Sequence, residues 1–193
     1  SNFGVATVYG KIYAIGGTNE TGDVRVVEEY NPLTNKWITK GSMLTGGRLK
    51  VTVVNGKIYA IGGYDESNEG KTLLQEYNPL TDSWTMKSPM ATHRDALSIA
   101  SAYGKIYVIG GWQEEQVDLV EEYDPQTDTW TTKTPMPTSR ASLSADSANG
   151  KIYVIGGYGG DNLVEEYTPP MYGFAFINKN PQWLNNTKYN VQY

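Results

Sequence analysis

The chain has 193 residues, a formal net charge of −5, one histidine and no cysteine. This length suits one domain with a sizeable core, and the absence of cysteine excludes disulfides and thiol chemistry. The negative charge argues against binding to bulk nucleic acid or to an anionic membrane. No apolar run approaches the length of a membrane span. The sequence therefore predicts neither a nucleic-acid partner nor a membrane partner.

A nine-residue stretch recurs four times along the chain. It reads YGKIYAIGG at 9–17, NGKIYAIGG at 55–63, YGKIYVIGG at 103–111 and NGKIYVIGG at 149–157. The last glycines of successive copies are 46, 48 and 46 residues apart. A fixed period of this size predicts a repeat architecture.

Each period contains signals for four short strands. The run Lys-Ile-Tyr-Ala/Val-Ile is β-branched, aromatic and bounded by glycines, which predicts a strand. A second strand ends in Glu-Tyr, and a turn built on proline follows it. A third strand opens at Trp37, Trp84 or Trp130, and a fourth precedes the next repeat, at 49–54, 96–102 and 142–148. One period therefore predicts one small, twisted antiparallel sheet.

This succession of Gly-Gly, Glu-Tyr-Asp-Pro, Trp and Pro-Met resembles the kelch repeat, and it covers residues 3 to about 167. The resemblance implies an all-β, kelch-type β-propeller, in which four-stranded blades stack radially. The predicted domain spans 1–193, with blades at about 3–41, 48–88, 94–134 and 140–178 and an irregular tail at 179–193. Because one blade cannot bury both faces alone, we expect large aromatics to fill the gaps between blades. These aromatics are Tyr13, Tyr59, Tyr107, Tyr153, Trp37, Trp84 and Trp130.

The fourth repeat departs from the pattern. Phe174 stands where tryptophan is expected, and residues 174–177 are the predicted outer strand. Residues 187–193 alternate and are a candidate for a closing strand. Two interpretations stay open: the tail completes a closed four-bladed ring, which would be a monomer, or the chain is a segment of a longer propeller.

Two sets of residues are candidates for ligand binding. An arginine precedes the first strand of three repeats, and an aromatic residue follows three of the Gly-Gly pairs. In kelch substrate adaptors of ubiquitin ligases, which these repeats resemble, such arginines and tyrosines form a pocket for an acidic peptide at the mouth of the channel. Guanidinium groups bind carboxylates in bidentate fashion. The predicted ligand-binding residues are Arg48, Arg94, Arg140, Tyr64, Trp112 and Tyr158.

A structural role for the same residues is the alternative. The arginines could pair with backbone carbonyls or with a neighbouring acid such as Asp95 or Asp146, and the aromatics could cover the edge of a blade. The Glu-Glu pairs recur in the repeats, and adjacent residues of a strand point to opposite faces. We therefore interpret these glutamates as parts of the scaffold rather than as a carboxylate dyad.

The sequence favours a non-enzymatic binding module. The first choice of ligand is an acidic peptide or protein partner, the second is a carbohydrate, and the third interpretation is a scaffold without a small ligand. A copper-oxidase site of the kelch type needs two histidines and a cysteine, which excludes it here, and His93 lacks an obvious catalytic partner. No catalytic residue, metal site or cofactor is predicted. The near-uniform repeats resemble those of secreted bacterial kelch proteins, which favours an extracellular or cell-surface location.

Overall fold

A computed structural model describes residues 2–62, 72–170 and 182–184. The chain divides into two compact units, residues 1–93 and 94–193. Each unit contains two antiparallel four-stranded sheets, which we name blades 1 to 4 in chain order. Within the described ranges, no helix is long and apolar enough to cross a membrane.

The first unit contains blades 1 and 2. Blade 1 consists of β1 (Gly4–Val8), β2 (Lys11–Ile15), β5 (Val27–Asn31) and β6 (Lys36–Thr39), with a small ribbon of β3 (Thr18–Asn19) and β4 (Gly22–Asp23) between β2 and β5. Blade 2 consists of β7 (Leu49–Val54), β8 (Lys57–Gly62), β9 (Leu74–Asn78) and β10 (Ser83–Lys87). Strands β1 and β7, the first of each blade, lie against each other.

The second unit repeats this arrangement. Blade 3 consists of β11 (Ser98–Ala102), β12 (Lys105–Ile109), β13 (Val120–Asp124) and β14 (Thr129–Lys133). Blade 4 consists of β15 (Ser144–Ala148), β16 (Lys151–Ile155), β17 (Val164–Thr168) and β18 (Gln182–Leu184). The four strands predicted for each period are therefore present in all four blades.

The fourth strand of blade 4 lies later in the chain than the repeat spacing predicts. Strand β18 pairs with β17, and Trp183 stands opposite Tyr167. The Trp183 ring packs on Tyr167 with centroids 4.9 Å apart, and its indole N–H donates to the Thr134 carbonyl at 3.0 Å. Trp183 thus occupies the position predicted for Phe174, and the blade extends beyond the predicted boundary at 178. Phe174, like residues 187–193, lies outside the described residues.

The turns follow from the residues at their corners. The glycine before each Lys-Ile-Tyr run has a positive φ, and so does the residue before it, for example Asn55 (50°) and Gly56 (74°). Two successive positive φ angles define the type I′ turn of a two-residue hairpin, which suits Asn-Gly. In the proline turns, the Asn31 side chain accepts a hydrogen bond from the Leu33 N–H at 3.0 Å. This local bond is the reason that asparagine or aspartate precedes the proline.

Alternation along the strands gives each blade two faces. The tyrosine face carries the tyrosine of the Lys-Ile-Tyr run and the second glutamate of the Glu-Glu pair; the tryptophan face carries the Tyr-Trp pair of the outer strands. In each unit, the tyrosine face of one blade packs on the tryptophan face of the next. Tyr13 thus meets Tyr77 edge-on at 5.9 Å, and Tyr107 meets Tyr167 at 5.8 Å.

The buried tyrosines also bond to glutamates of their own blade. Tyr59, which is 2% exposed, donates its hydroxyl to Glu76 at 2.7 Å, and Lys57 binds the other oxygen of that carboxylate at 2.6 Å. Burial raises the pKa of the Glu76 carboxyl, but the hydrogen bonds from Lys57 and Tyr59 outweigh this effect, so that the pKa is lowered overall. Tyr13, Tyr59 and Tyr107 are buried as expected, and Trp84 packs against the core of the first unit. Trp37 was expected in the core but is 54% exposed, and Tyr153 is only half-buried.

Candidate functional site

Arg94 is buried at the base of the loop that carries Trp112. Its side chain enters blade 3 from the segment before β11, and the residue is 2% exposed. One guanidinium nitrogen donates to the carbonyls of Gly110 at 2.7 Å and Leu119 at 3.0 Å, and the other pairs with Glu121 at 2.6 Å. Arg94 therefore ties together the two ends of the loop between β12 and β13.

Arg140 makes the equivalent contacts in blade 4. It is fully buried, donates to the carbonyls of Gly156 at 3.0 Å and Leu163 at 3.4 Å, and pairs with the buried Glu165. Gly160 lies against the aliphatic part of Arg140, where a Cβ would overlap the arginine Cδ. The loop between β16 and β17 is therefore folded around this side chain.

These contacts correspond to the structural alternative for the two arginines. The acids are Glu121 and Glu165, the first members of the Glu-Glu pairs, rather than Asp95 and Asp146. Burial lowers the pKa of the Arg94 guanidinium and Glu121 raises it; arginine nevertheless stays charged. A buried charge of this kind needs its partner, because an unpaired ion in the interior is strongly destabilising. Contact of Arg94 or Arg140 with a ligand stays a prediction.

Arg48 differs from the other two arginines. It is exposed, and Gln75 stands in blade 2 where blades 3 and 4 have Glu121 and Glu165. The Gln75 amide binds the loop before β7 instead, accepting from the Leu44 and Thr45 N–H groups at 2.9 and 3.1 Å. The two blades with a glutamate at this position of the sheet thus have a buried arginine, and the blade with a glutamine has an exposed one.

The backbone of Trp112 is fixed next to Arg94. Its N–H donates to the Asp95 carbonyl at 2.7 Å, and its carbonyl accepts from the Asp95 N–H at 2.9 Å. Gly111 precedes it with a φ of 117°, and a Cβ there would lie 2.6 Å from the Asp95 carbonyl oxygen. Glycine is thus required by both the backbone conformation and the close approach. Although its backbone is held, Trp112 remains 40% exposed.

Tyr158 is held in the same way in blade 4. Its N–H donates to the Ala141 carbonyl at 2.8 Å and its carbonyl accepts from the Ala141 N–H at 3.2 Å. Gly157 precedes it with a φ of 92°. The tyrosine is 68% exposed. In both blades, therefore, the residue that follows the buried arginine (Asp95 or Ala141) forms two backbone hydrogen bonds with the aromatic residue that follows Gly-Gly.

The structure brings Trp112 and Tyr158 together within the second unit. Their ring centroids are 6.4 Å apart and the rings are tilted by 46°. The Trp112 loop also carries Gln113, Glu114 and Glu115, which are exposed, and the Gln116 amide lies near Gly159. We name Trp112 and Tyr158 the aromatic pair. Two partly exposed rings on loops that also carry amide and carboxylate side chains can bind a ligand by stacking and hydrogen bonding.

Tyr64, the remaining predicted site residue, lies outside the described residues. His93 is exposed. Among residues 2–62, 72–170 and 182–184, no group of three or more histidine or acidic side chains could hold a metal ion. The sequence analysis assigned Glu121 and Glu165 to the scaffold but did not predict their pairing with Arg94 and Arg140. The available signal was that these glutamates recur with an arginine in the same two repeats.

Three comparisons with known proteins bear on these blades. A family model described as the Kelch motif matches residues 1–44, 47–91 and 93–137, more than half of the chain. The chain belongs to the Kelch motif family. Its fold is all-β, with kelch-type propeller blades, and the kelch resemblance of the sequence is confirmed. Kelch propellers are mostly non-enzymatic and typically bind proteins.

A solved structure described as "Structure of YjhT" has the same fold. It is 21% identical, the TM-score is 0.70, and the match covers 81% of this kelch chain and 59% of that chain. This kelch chain thus spans about three fifths of that structure's length. The search of curated proteins found no match.

Proposed function

We propose that this kelch chain is a non-enzymatic binding module that holds a protein or peptide ligand at the aromatic pair. The observation that carries the proposal is the exposure of Trp112 and Tyr158, 40% and 68%, on adjacent loops of one unit. Tryptophan and tyrosine are enriched among the residues that contribute most to protein–protein affinity. Their large apolar area is removed from water when a ligand covers them.

The loops that carry the aromatic pair support this role because hydrogen bonds fix the base of each loop and the backbone of each aromatic residue. Each loop is tied at its base by a buried arginine, and each aromatic backbone makes two hydrogen bonds to a neighbouring segment. A surface that is ordered before binding loses less conformational entropy when the ligand arrives. The ion pairs would thus contribute to affinity through the position of the rings rather than through contact with the ligand.

An acidic ligand remains the finer proposal, and Arg48 supports it. Its side chain is exposed, whereas Arg94 and Arg140 are buried in ion pairs with Glu121 and Glu165. Leaving a buried partner is costly. Binding of an acidic peptide through Arg48 should weaken as salt is added, because exposed charges are screened. Arg48→Ala should lower the affinity and remove part of the salt dependence.

A carbohydrate is the second candidate, and the aromatic pair is the observation that favours it. The face of an exposed ring can stack on a sugar, and the Gln113 and Gln116 amides can bond to hydroxyls. Sugar binding of this type should be nearly indifferent to salt. Salt dependence thus distinguishes the two candidates.

The experiment uses peptides selected from a displayed random library on the wild-type chain, together with a glycan array. Selected ligands are then measured by calorimetry with Trp112→Ala and Tyr158→Ala. We expect each variant to lower the affinity at least about tenfold, since central aromatics commonly contribute 2 kcal/mol or more. The matched control is Tyr103→Ala, because Tyr103 is also exposed, at 43%, but lies at the opposite end of β12.

The outcomes are distinct. Loss of binding in both aromatic variants but not in Tyr103→Ala supports the proposal. Equal affinity of Trp112→Ala and the wild type for every selected ligand would contradict it. If no peptide is selected but a glycan binds independently of salt, and Trp112→Ala abolishes that binding, the carbohydrate is the ligand and the peptide proposal is wrong.

A further inference from the structure

The loops that carry the aromatic pair are acidic. They are residues 110–119, between β12 and β13, and residues 156–163, between β16 and β17, and neither contains lysine, arginine or histidine. Their exposed charged residues are Glu114, Glu115 and Asp161. Each lies within three residues of one member of the pair. The chain therefore holds each Cα within about 11 Å of that member, a distance comparable with the screening length of about 8 Å at physiological ionic strength.

The two arginines at the bases of these loops do not offset this charge. Arg94 and Arg140 are buried, and their ion pairs with Glu121 and Glu165 are neutral overall. Among the residues that the structure describes, none of the three exposed carboxylates has an ion-pair or hydrogen-bond partner. The field that a ligand meets at the aromatic pair is therefore negative.

A fourth carboxylate stands directly opposite Trp112. Asp95 and Trp112 form an antiparallel bridge, joined by two backbone hydrogen bonds at 2.7 and 2.9 Å. Directly opposed residues project their side chains to the same face, with Cβ atoms about 4.5–5.5 Å apart. Asp95 is half-buried, and within the described ranges its carboxylate has no hydrogen-bond or ion-pair partner. Arg94, the partner that the sequence suggested for Asp95, binds Glu121 instead.

An amide lies on the other side of Trp112. Gln116 forms a second antiparallel bridge with Trp112, so that its side chain shares the face of Asp95 and the indole. Its Nε2 lies 3.7 Å from the position that a Cβ on Gly159, the neighbour of Tyr158, would take. Asp95, Trp112 and Gln116 thus form a row of carboxylate, ring and amide, with the Tyr158 ring 6.4 Å from the indole.

We propose that the aromatic pair binds a cationic side chain, the guanidinium of an arginine in a peptide or protein partner. It rests on the proposed function of the aromatic pair and adds the charge of the group that is bound. A guanidinium stacks on aromatic faces and donates paired N–H groups to a carboxylate, which Asp95 supplies. The Gln116 amide oxygen accepts a further N–H. An acidic side chain would instead meet the like charges of Glu114 and Asp161. Arg48, which supports an acidic ligand, belongs to the first unit, whereas every residue of this site belongs to the second.

The probes are two displayed libraries of short random peptides on the 193-residue chain, identical except for a central arginine in one and a central glutamate in the other. We expect peptides whose binding is lost in Trp112→Ala to come from the arginine library. Replacing that arginine by citrulline, which keeps its shape without its charge, should lower the affinity at least about tenfold in calorimetry. Asp95→Asn should lower the affinity for the arginine peptide by a similar factor. The matched control is Asp146→Asn, because Asp146 is an exposed acid of the same unit but lies in strand β15. Circular dichroism checks that each variant is folded.

A double-mutant cycle identifies the contact. If Asp95 binds the guanidinium, the difference between the arginine and citrulline peptides should largely disappear in Asp95→Asn and persist in Asp146→Asn. Selection of no arginine peptide that depends on Trp112, or equal affinity of Asp95→Asn and the wild type for the arginine peptide, would overturn the cationic ligand. The proposed function would survive either result as long as Trp112→Ala still abolishes binding of another peptide. If Trp112→Ala binds every selected ligand as the wild type does, the proposed function fails as well.

Discussion

Replacing Arg94 by methionine removes the tie at the base of the Trp112 loop while keeping an unbranched side chain in its place. The substitution removes the ion pair with Glu121 at 2.6 Å and the hydrogen bonds to the carbonyls of Gly110 and Leu119. The Leu119 carbonyl still accepts from the Gly110 N–H at 2.9 Å, so that it keeps a partner. The main cost is therefore the Glu121 carboxylate, which is 3% exposed and would be left without its arginine.

Breaking a buried ion pair from one side typically costs about 3–5 kcal/mol. We expect a loss of this size in the unfolding free energy of the second unit for Arg94→Met. Removing both charges in Arg94→Met/Glu121→Leu should restore much of it, because no buried charge remains. A residual cost of about 1–3 kcal/mol should persist from the Gly110 carbonyl.

The assay is urea unfolding combined with amide hydrogen exchange. The Trp112 and Val117 N–H groups donate to the Asp95 and Gly111 carbonyls, at 2.7 and 3.0 Å, and report on the loop directly. Their protection should fall at least about hundredfold in Arg94→Met, since 1.4 kcal/mol is a factor of ten. The matched control is Arg48→Met in blade 2: this arginine is exposed, and surface substitutions usually change stability by at most about 0.5 kcal/mol.

An unfolding free energy of Arg94→Met within about 1 kcal/mol of the wild type, with unchanged protection of Trp112, would refute the reasoning. Arg94 would then not stabilise the base of the Trp112 loop, and its guanidinium would be available for a ligand, as the sequence analysis predicted. A double variant as unstable as Arg94→Met would show instead that the carbonyl bonds, and not the unpaired carboxylate, dominate the cost.

Three further predictions concern stability. Trp84→Phe loses the indole bond to the Gly41 carbonyl (2.9 Å) and should cost about 0.5–1.5 kcal/mol in urea unfolding. Gly160→Ala places a Cβ against the Arg140 side chain and should lower the unfolding free energy by about 1–3 kcal/mol. A melting temperature as high as that of the wild type would contradict this prediction. Glu76→Gln should cost about 1.5–3 kcal/mol at pH 7, because the pKa of Glu76 is lowered in the folded state. This stabilisation is present above the ordinary glutamate pKa of about 4.3 and is lost as the pH falls through the folded value. The difference in unfolding free energy between Glu76→Gln and the wild type should therefore vanish in acid. A difference that stays constant with pH would contradict a stabilising role for the ionised Glu76 carboxylate.

The sheets could be predicted from the sequence because their signals repeat in phase. The Lys-Ile-Tyr runs are strands in all four blades, and the Asn-Gly corners are hairpin turns, since local conformation decides both. The outer strand of blade 4 could not be predicted in this way. Trp183 stands 16 residues after Tyr167 instead of seven, and pairing across that longer connection depends on packing rather than on spacing.

The roles of the arginines were not accessible from their positions alone. Both a ligand site and a structural pair need a guanidinium near the Gly-Gly turn, and only the path of the side chain separates them. The register of β12 and β13 places Glu121 beside Val108 on the tryptophan face, where Arg94 reaches it. In blade 2, where Gln75 replaces the acid, Arg48 is exposed.

This pairing explains how the loops can vary while the blades do not. Arg94 binds carbonyls nine residues apart in sequence, and Arg140 binds carbonyls seven residues apart, yet both arginines use the same two nitrogens and the same kind of acid. The contacts that an arginine makes at the base of a loop do not depend on how many residues the rest of the loop contains. The length and composition of the loop beyond its base can therefore differ between blades while the buried ion pair keeps the same contacts at the base.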